Sequence, residues 1–269
     1  MDDRGELPAE ARRAALAALV AERGYVRVSE VRDHFGVSEV TVRSDLRALD
    51  EAGLVRRVHG GAMPVPGTER EAPVETAAER DAELKRAIGR RAAALVANGS
   101  SVLLDVGSTT LAVARALVAR RDLTELTVIT NGLSIALALE AAIPRFTVIV
   151  TGGTLRPLQH SLVAPLAANT LPELHADLAI LGGNGIAKDG AVTNLNLPEA
   201  EIKRAMVTAA TRRVLVADAS KWGQRHLGRI GALADFDTLV TAGDPAAVEA
   251  LRAVAAVAGT RVEVPDVLG

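Results

Sequence analysis

The 269-residue chain has no cysteine, which excludes disulfides, thiolate metal ligands and thiol nucleophiles together. Aromatics are nearly missing, with three Phe, one Tyr and one Trp in a chain that is 49% hydrophobic. Its cores must therefore be packed from Ala, Val and Leu. No excess of one charge sign exists, the formal net charge being −2, which argues against a bulk polyanion binder and leaves room for a local basic face. No apolar run approaches the roughly 18 residues of a membrane span. The start, Met1-Asp2-Asp3-Arg4-Gly5-Glu6, lacks the basic-then-apolar pattern of a signal peptide. These absences predict a soluble, cytoplasmic protein without a membrane partner. Lysine is scarce too: only Lys85, Lys188, Lys203 and Lys221 stand among 31 basic residues, so each retained lysine draws notice. His34, His59, His160, His175 and His226 are scattered without metal-ligand spacing, and no metal, no cofactor and no catalytic residue is expected.

What is present begins with Val37 to Leu46. A short amphipathic segment, Ser29 to Phe35, precedes it across Gly36, and Gly53-Leu54-Val55-Arg56-Arg57-Val58 and His59-Gly60-Gly61 follow. Ser38 is placed to cap the second helix by accepting one of its unpaired N–H groups. Val42, Leu46 and Leu49 recur at i, i+4, i+7 and face inward, whereas Glu39, Thr41, Arg43, Ser44 and Arg47 face outward or flank that stripe. Helix, tight turn, helix and a short basic ribbon make a winged helix-turn-helix, with the second helix in the major groove of double-stranded DNA. Arg56, Arg57 and His59 would then lie on phosphates, which position a module without reading sequence. A plain helical hairpin is the competing interpretation. Charge does not decide between them, because residues 1–61 carry ten arginines against eleven acidic groups.

The first helix is expected over Ala9–Glu22, with Ala15, Leu16, Leu19 and Val20 inward and Gly24 closing it. The module is expected to end near Gly61, with a Pro-containing linker over 62–75 and one long polar helix over Thr76–Ala97. From Ser100 onward, short apolar runs alternate with helical segments. Strands are expected at Val102–Val106, Leu126–Thr130, Phe146–Val150, Leu178–Leu181, Arg213–Ala217, Thr238–Val240 and Val262–Val264. Helices are expected at Thr110–Ala119, Leu133–Glu140, Glu199–Ala210 and Ala246–Ala256. The pattern predicts an α/β domain over 76–269 with a mostly parallel sheet covered on both faces.

In such sheets ligands sit beyond the carboxyl ends of the strands, and this chain gathers its unusual residues there. Asp105-Val106-Gly107-Ser108-Thr109-Thr110 leads from a strand into a helix, where a glycine, hydroxyls and a helix N-terminus suit an anion. Thr130-Asn131-Gly132, Gly152-Gly153-Thr154, Gly182-Gly183-Asn184-Gly185 and Asp218-Ala219-Ser220-Lys221 follow other strands. Each alone reads as an ordinary turn. Together they offer hydroxyls, amides, N–H groups, two carboxylates and one ammonium, a set suited to a phosphorylated polyhydroxy compound. Lys221 would act as a point charge on a phosphate.

In their order and spacing these motifs make the chain resemble the DeoR-type bacterial transcriptional regulators over nearly its full length. The matching stretches are Val37-Ser38 through Leu46, His59-Gly60-Gly61-Ala62, Asp105 to Thr110, Thr130-Asn131, Gly152-Gly153, Gly182 to Ile186 and Asp218 to Lys221. The resemblance implies a sensor domain similar in fold to ribose-5-phosphate isomerase. It also implies repression of a carbohydrate catabolic operon, relieved by a phosphorylated sugar. It places Thr41, Arg43 and Ser44 on the DNA-reading face, and Asp105, Ser108, Thr109, Thr110, Asn131, Gly153 and Lys221 in the effector pocket. Ser44 stands where the family often carries a second arginine. Balanced charge on one small module argues for a homo-oligomer, dimer or tetramer, on repeated half-sites. The rival function is a sugar-phosphate isomerase with an appended DNA-binding domain, for which Asp105 and Asp218 would supply carboxylates.

Overall fold

The computed structural model describes residues 8–23, 25–52, 54–58, 60–63 and 73–266. Gly24, Gly53 and His59 therefore lie outside the described residues, as does most of the expected linker. The chain divides into two compact units, Met1–Ala72 and Pro73–Gly269.

The first unit runs α1 (Ala9–Arg23), β1 (Val26–Arg27), α2 (Val28–Phe35), α3 (Glu39–Glu51), β2 (Arg56–Val58) and β3 (Gly61–Met63). Gly36 ends α2 with φ +67°, a left-handed conformation that glycine adopts without a Cβ penalty. The expected stripe forms its core: Leu16, Leu19, Val20, Val31, Val42, Leu46 and Leu49 are buried together. β2 and β3 pair antiparallel, with Arg57 opposite Ala62, and β1 adds to the other side of β3. The ribbon is thus a three-stranded sheet that includes Ala62 and Met63, past the expected module end at Gly61. Gly61 is obligatory there, since a Cβ would sit 2.0 Å from the Val26 carbonyl oxygen.

The second unit opens with α4 (Val74–Glu79) and α5 (Ala82–Ala93) in place of the single helix expected over Thr76–Ala97. The break is at Asp81, whose φ of +52° cannot continue a right-handed helix. There follow β4 (Ser101–Leu104), α6 (Ser108–Ala119), β5 (Leu126–Thr130), α7 (Leu133–Glu140), β6 (Phe146–Val150), β7 (Thr154–Arg156), β8 (Ser161–Val163), α8 (Leu166–Thr170), β9 (Ala176–Gly182), β10 (Gly185–Ile186) and β11 (Ala191–Asn194). The unit ends with α9 (Leu197–Thr208), β12 (Ala210–Val216), β13 (Gly228–Ala232), β14 (Thr238–Val240), α10 (Pro245–Ala258) and β15 (Arg261–Glu263).

Seven strands form one sheet in the order β15-β14-β12-β9-β4-β5-β6, parallel throughout. Alternate residues of each strand serve the two faces. Val102 and Leu104 pack with Ile88, Val113 and Leu117 of α5 and α6. Leu103 joins Ile202, Met206, Val248 and Leu251 of α9 and α10 on the opposite face. Gly89 lets α5 and α6 approach closely, because a Cβ there would meet the Ala112 backbone at 2.7 Å. Two small antiparallel sheets, β7-β8 and β10-β11-β13, escaped the sequence pattern. Their strands are two to five residues long, shorter than a readable alternation.

Chain order reverses between β4 and β9, since β5 and β6 lie to one side of β4 and the later strands to the other. That switch point is where an open parallel sheet leaves a crevice beyond its carboxyl ends.

Candidate functional sites

In the first unit, Ser38 caps α3: its Oγ accepts the Thr41 N–H at 3.1 Å and lies 2.8 Å from the Thr41 hydroxyl. Arg43, Ser44 and Arg47 are exposed along α3, and Thr41 is half-buried. Arg43 rests against Glu39 at 3.3 Å, one turn earlier, and Arg32 of α2 approaches the same carboxylate at 3.5 Å. These exposed pairs are weak, about 0.2–1 kcal/mol, so the guanidinium can exchange its partner. Arg56 and Arg57 are exposed on β2, and the Arg57 N–H donates to Asp50 at 3.1 Å, tying the ribbon to α3. His59 lies outside the described residues.

Asp45 is not among the expected residues. It is buried beneath the exposed face of α3, where its two oxygens accept from Arg12 at 2.7 Å and Arg13 at 2.9 Å of α1. Burial alone would raise its carboxyl pKa, but the hydrogen bonds and charge of both arginines outweigh it and hold the group below 3.8. The signal was available: Asp45 adjoins the Val42–Leu46–Leu49 stripe on the helical period, where a charged group needs a partner.

In the second unit the parallel sheet brings the ends of β4, β5, β6, β9 and β12 to one edge, and with them Asp105, Asn131, Gly152, Gly153, Gly182 and Asp218. Gly107, with φ +144°, leads into α6, where Ser108 and Thr109 are half-buried and the buried Thr110 hydroxyl donates to the Gly107 carbonyl at 3.0 Å. The Asn131 side chain works inside the protein: Oδ1 accepts the Val106 N–H at 3.2 Å and Nδ2 donates to Leu162 O at 3.3 Å. Gly153, with φ +131°, lies so close to β8 that a Cβ would sit 2.1 Å from Val163 O. Gly152, also at positive φ, faces Leu166. The Asn184 amide oxygen accepts the Leu195 N–H at 3.0 Å, which holds its loop. Asp218 accepts from the Ser220 N–H at 3.1 Å and from the Ser220 hydroxyl. Lys221 is half-buried beside it.

Asp105 is fully buried, and its carboxylate is engaged by an unforeseen partner. Oδ2 accepts from the Lys203 ammonium and from the Gly182 N–H at 3.0 Å, while Oδ1 has no hydrogen-bond partner. Burial pushes the Asp105 carboxyl up, and Lys203 and the Gly182 N–H oppose that push. Lys203 also donates to the Gly182 carbonyl at 3.2 Å, so it ties β4 to β9 across the switch point. One turn before it on α9, buried Glu199 accepts from Arg156, from the Ser161 hydroxyl, and from Asn194 at 3.3 Å. Glu199 and Lys203 fall on the same face as Ala200, Ile202 and Met206, all buried. Two charges four residues apart on an apolar stripe were the legible clue. Lys85 is the other buried lysine. Its ammonium donates to the carbonyls of Ala77, at 2.7 Å, and Arg80. Among the described residues no group of His, Asp and Glu has the arrangement of a metal site, and no helix is long and apolar enough to cross a membrane.

A winged helix-turn-helix followed by a parallel α/β unit with polar strand ends defines a class of protein: a DNA-binding module carried with a ligand-sensing domain. Comparison with known proteins gives the particular family. Residues 12–65 match the DeoR-like helix-turn-helix domain, and residues 80–243 match the DeoR C terminal sensor domain. The chain is 39% identical to the HTH-type transcriptional regulator GlpR of Haloferax volcanii over 237 residues, 88% of this chain and 91% of that protein. It is 33% identical to the glycerol-3-phosphate regulon repressor of Escherichia coli K12 over 227 residues, 84% and 88% of the two chains. Among solved structures it is similar to ribose 5-phosphate isomerase A of Methanocaldococcus jannaschii, with a TM-score of 0.39 and 19% identity over 53% of this chain and 55% of that one. The chain belongs to the DeoR family and is a DNA-binding transcriptional regulator.

Proposed function

We propose that this protein is a repressor of a carbohydrate catabolic operon, released from its operator when a phosphorylated sugar or polyol enters the crevice at the switch point. The observation that carries the reading is the convergence of Asp105, Asn131, Gly153, Gly182 and the Asp218–Lys221 loop on one edge of a parallel sheet whose order reverses between β4 and β9. The relatives' printed roles, one of them repression of a glycerol-3-phosphate regulon, support the same class of ligand. In this reading the hydroxyls of Ser108 and Thr109 and the ammonium of Lys221 hold the phosphate. Arg43, with Thr41 and Ser44, reads base edges; a bidentate arginine–guanine contact discriminates by about 1–3 kcal/mol. Arg47, Arg56 and Arg57 contact phosphates. The regulator acts as at least a dimer, because one near-neutral module does not reach regulatory affinity alone.

We read the sensor as a binding domain and not as an isomerase. Aldose–ketose isomerisation requires a carboxylate ready to take a carbon-bound proton. Here Asp105 is engaged by Lys203, Asp218 by Ser220, and Glu199 by Arg156, Ser161 and Asn194. The experiment is fluorescence anisotropy on DNA from upstream of the protein's own gene, titrated with glycerol 3-phosphate and a panel of pentose and hexose phosphates. Specific binding relieved by a panel member is the expected result. Specific binding indifferent to the whole panel, or turnover of a panel member that Asp105→Asn abolishes, refutes it.

A further inference from the structure

Resting on that reading of the crevice, we propose that α4 is the transmitting element of the sensor unit: a strap contacted at its start by His160, whose hairpin is bonded to candidate pocket residues, and capped at its end by Lys85. Among the described residues α4 is the first element after the winged helix in chain order.

The strap is lightly seated. Val74 is its only buried side chain, and a cleft of about 1050 Å³ opens beside it, lined among others by Val74, Ala78, Leu111, Arg115 and Leu137. An element with little apolar burial and such a void beside it opens more easily than the sheet strands. Polar contacts lie at its two ends, an exposed one at Glu75 and a buried one at Lys85.

At the N-terminal end, His160 Nε2 lies 3.4 Å from Glu75, and its Nδ1 lies 2.6 Å from the Ser134 hydroxyl. His160 occupies the turn between β7 and β8 with φ +52°, and its carbonyl accepts the Leu133 N–H at 2.9 Å. The hairpin that carries it is gripped by candidate pocket residues. Asn131 O accepts the Leu162 N–H at 2.7 Å, Asn131 Nδ2 donates to Leu162 O, and Gly153 lies against Val163. At the C-terminal end, the Lys85 ammonium caps the carbonyls of Ala77 and Arg80, where a cation is favoured. Burial lowers the pKa of this ammonium, with Asp218 acting to raise it and Lys221 to lower it. The His160 clamp therefore runs back to the loops after β5 and β6 at the carboxyl ends of the sheet. A ligand that shifts those loops shifts the strap.

The test compares the full-length wild type with His160→Asn and Lys85→Met. Asparagine tolerates the left-handed turn but is too short to span Ser134 and Glu75; methionine keeps the buried stem and removes the donor. Hydrogen exchange without ligand reads the clamps. Amides of residues 74–80 should exchange about five-fold faster or more in either variant, with those of β4 and β9 unchanged. Uniform rates, or acceleration across the whole unit, overturn the strap. Operator affinity with and without glycerol 3-phosphate then reads the relay. His160→Asn should retain the ligand's thermal shift while losing most of a wild-type DNA response of about five-fold or greater. A full wild-type response in His160→Asn overturns the relay. A wild type whose melting temperature no panel phosphate moves refutes the crevice reading and the relay with it, while the exchange comparison still decides the clamps.

Discussion

Removing the Lys203 ammonium tests the buried network most directly. Lys203→Ala leaves the Asp105 carboxylate fully buried, with Oδ1 already unpartnered and Oδ2 holding only the Gly182 N–H. Breaking a buried ion pair from one side costs about 3–5 kcal/mol, since the orphaned charge keeps its desolvation penalty. At roughly 2–4 °C per kcal/mol for a domain of this size, the sensor transition should fall by on the order of 10 °C. Replacing both partners, Asp105→Asn with Lys203→Met, keeps an acceptor for the Gly182 N–H and removes both charges. That double variant should recover most of the lost stability. Differential scanning calorimetry on wild type, Asp105→Asn, Lys203→Met and the double variant gives the coupling energy. A Lys203→Ala transition within 2 °C (roughly 1 kcal/mol or less) of wild type would refute the reasoning. So would a double variant no more stable than Lys203→Ala.

Three further outcomes follow from the geometry. Arg43→Ala should weaken operator binding by roughly 1–3 kcal/mol in anisotropy while leaving the sugar-phosphate thermal shift intact, and Lys221→Ala should do the reverse; equal effects of both changes on both readouts would refute the division of labour. Gly61→Ala places a Cβ 2.0 Å from Val26 O, so the ribbon should distort and DNA affinity fall, with the sensor's melting transition unmoved. Asp45, whose carboxyl is held below 3.8 in the folded state, contributes stability that is present above its unfolded pKa and lost as pH falls through the folded one. Acid titration by circular dichroism should therefore show the winged helix losing stability below about pH 4, with Asp45→Asn flattening that dependence; an unchanged slope would contradict the assignment.

Elements with strong periodicity were legible in the chain. Val42, Leu46 and Leu49 recur on the helical period and are buried, and β5, α7, β6 and β14 have the bounds the pattern implies. The expected helix over Thr76–Ala97 failed at Asp81, because its left-handed backbone leaves no mark in the local pattern. Asp105, Asn131 and Gly153 were recognisable as strand-end residues, yet their partners were not. Lys203 lies 98 residues from Asp105 along the chain, and Leu162 lies 31 from Asn131. Sequence alone thus determined which of the longer segments are strands and helices, that the main sheet is mostly parallel, and that polar residues gather at its carboxyl ends, since periodicity and turn chemistry act over a few neighbouring residues. Only the tertiary structure decided that Asp105 is sealed by Lys203, that Glu199 anchors Arg156 and Ser161, and that His160 and Lys85 hold α4. Those pairings join residues that approach one another only when helix α9 and the β7–β8 hairpin fold back onto the sheet, and a buried charge finds its partner in space, not along the chain.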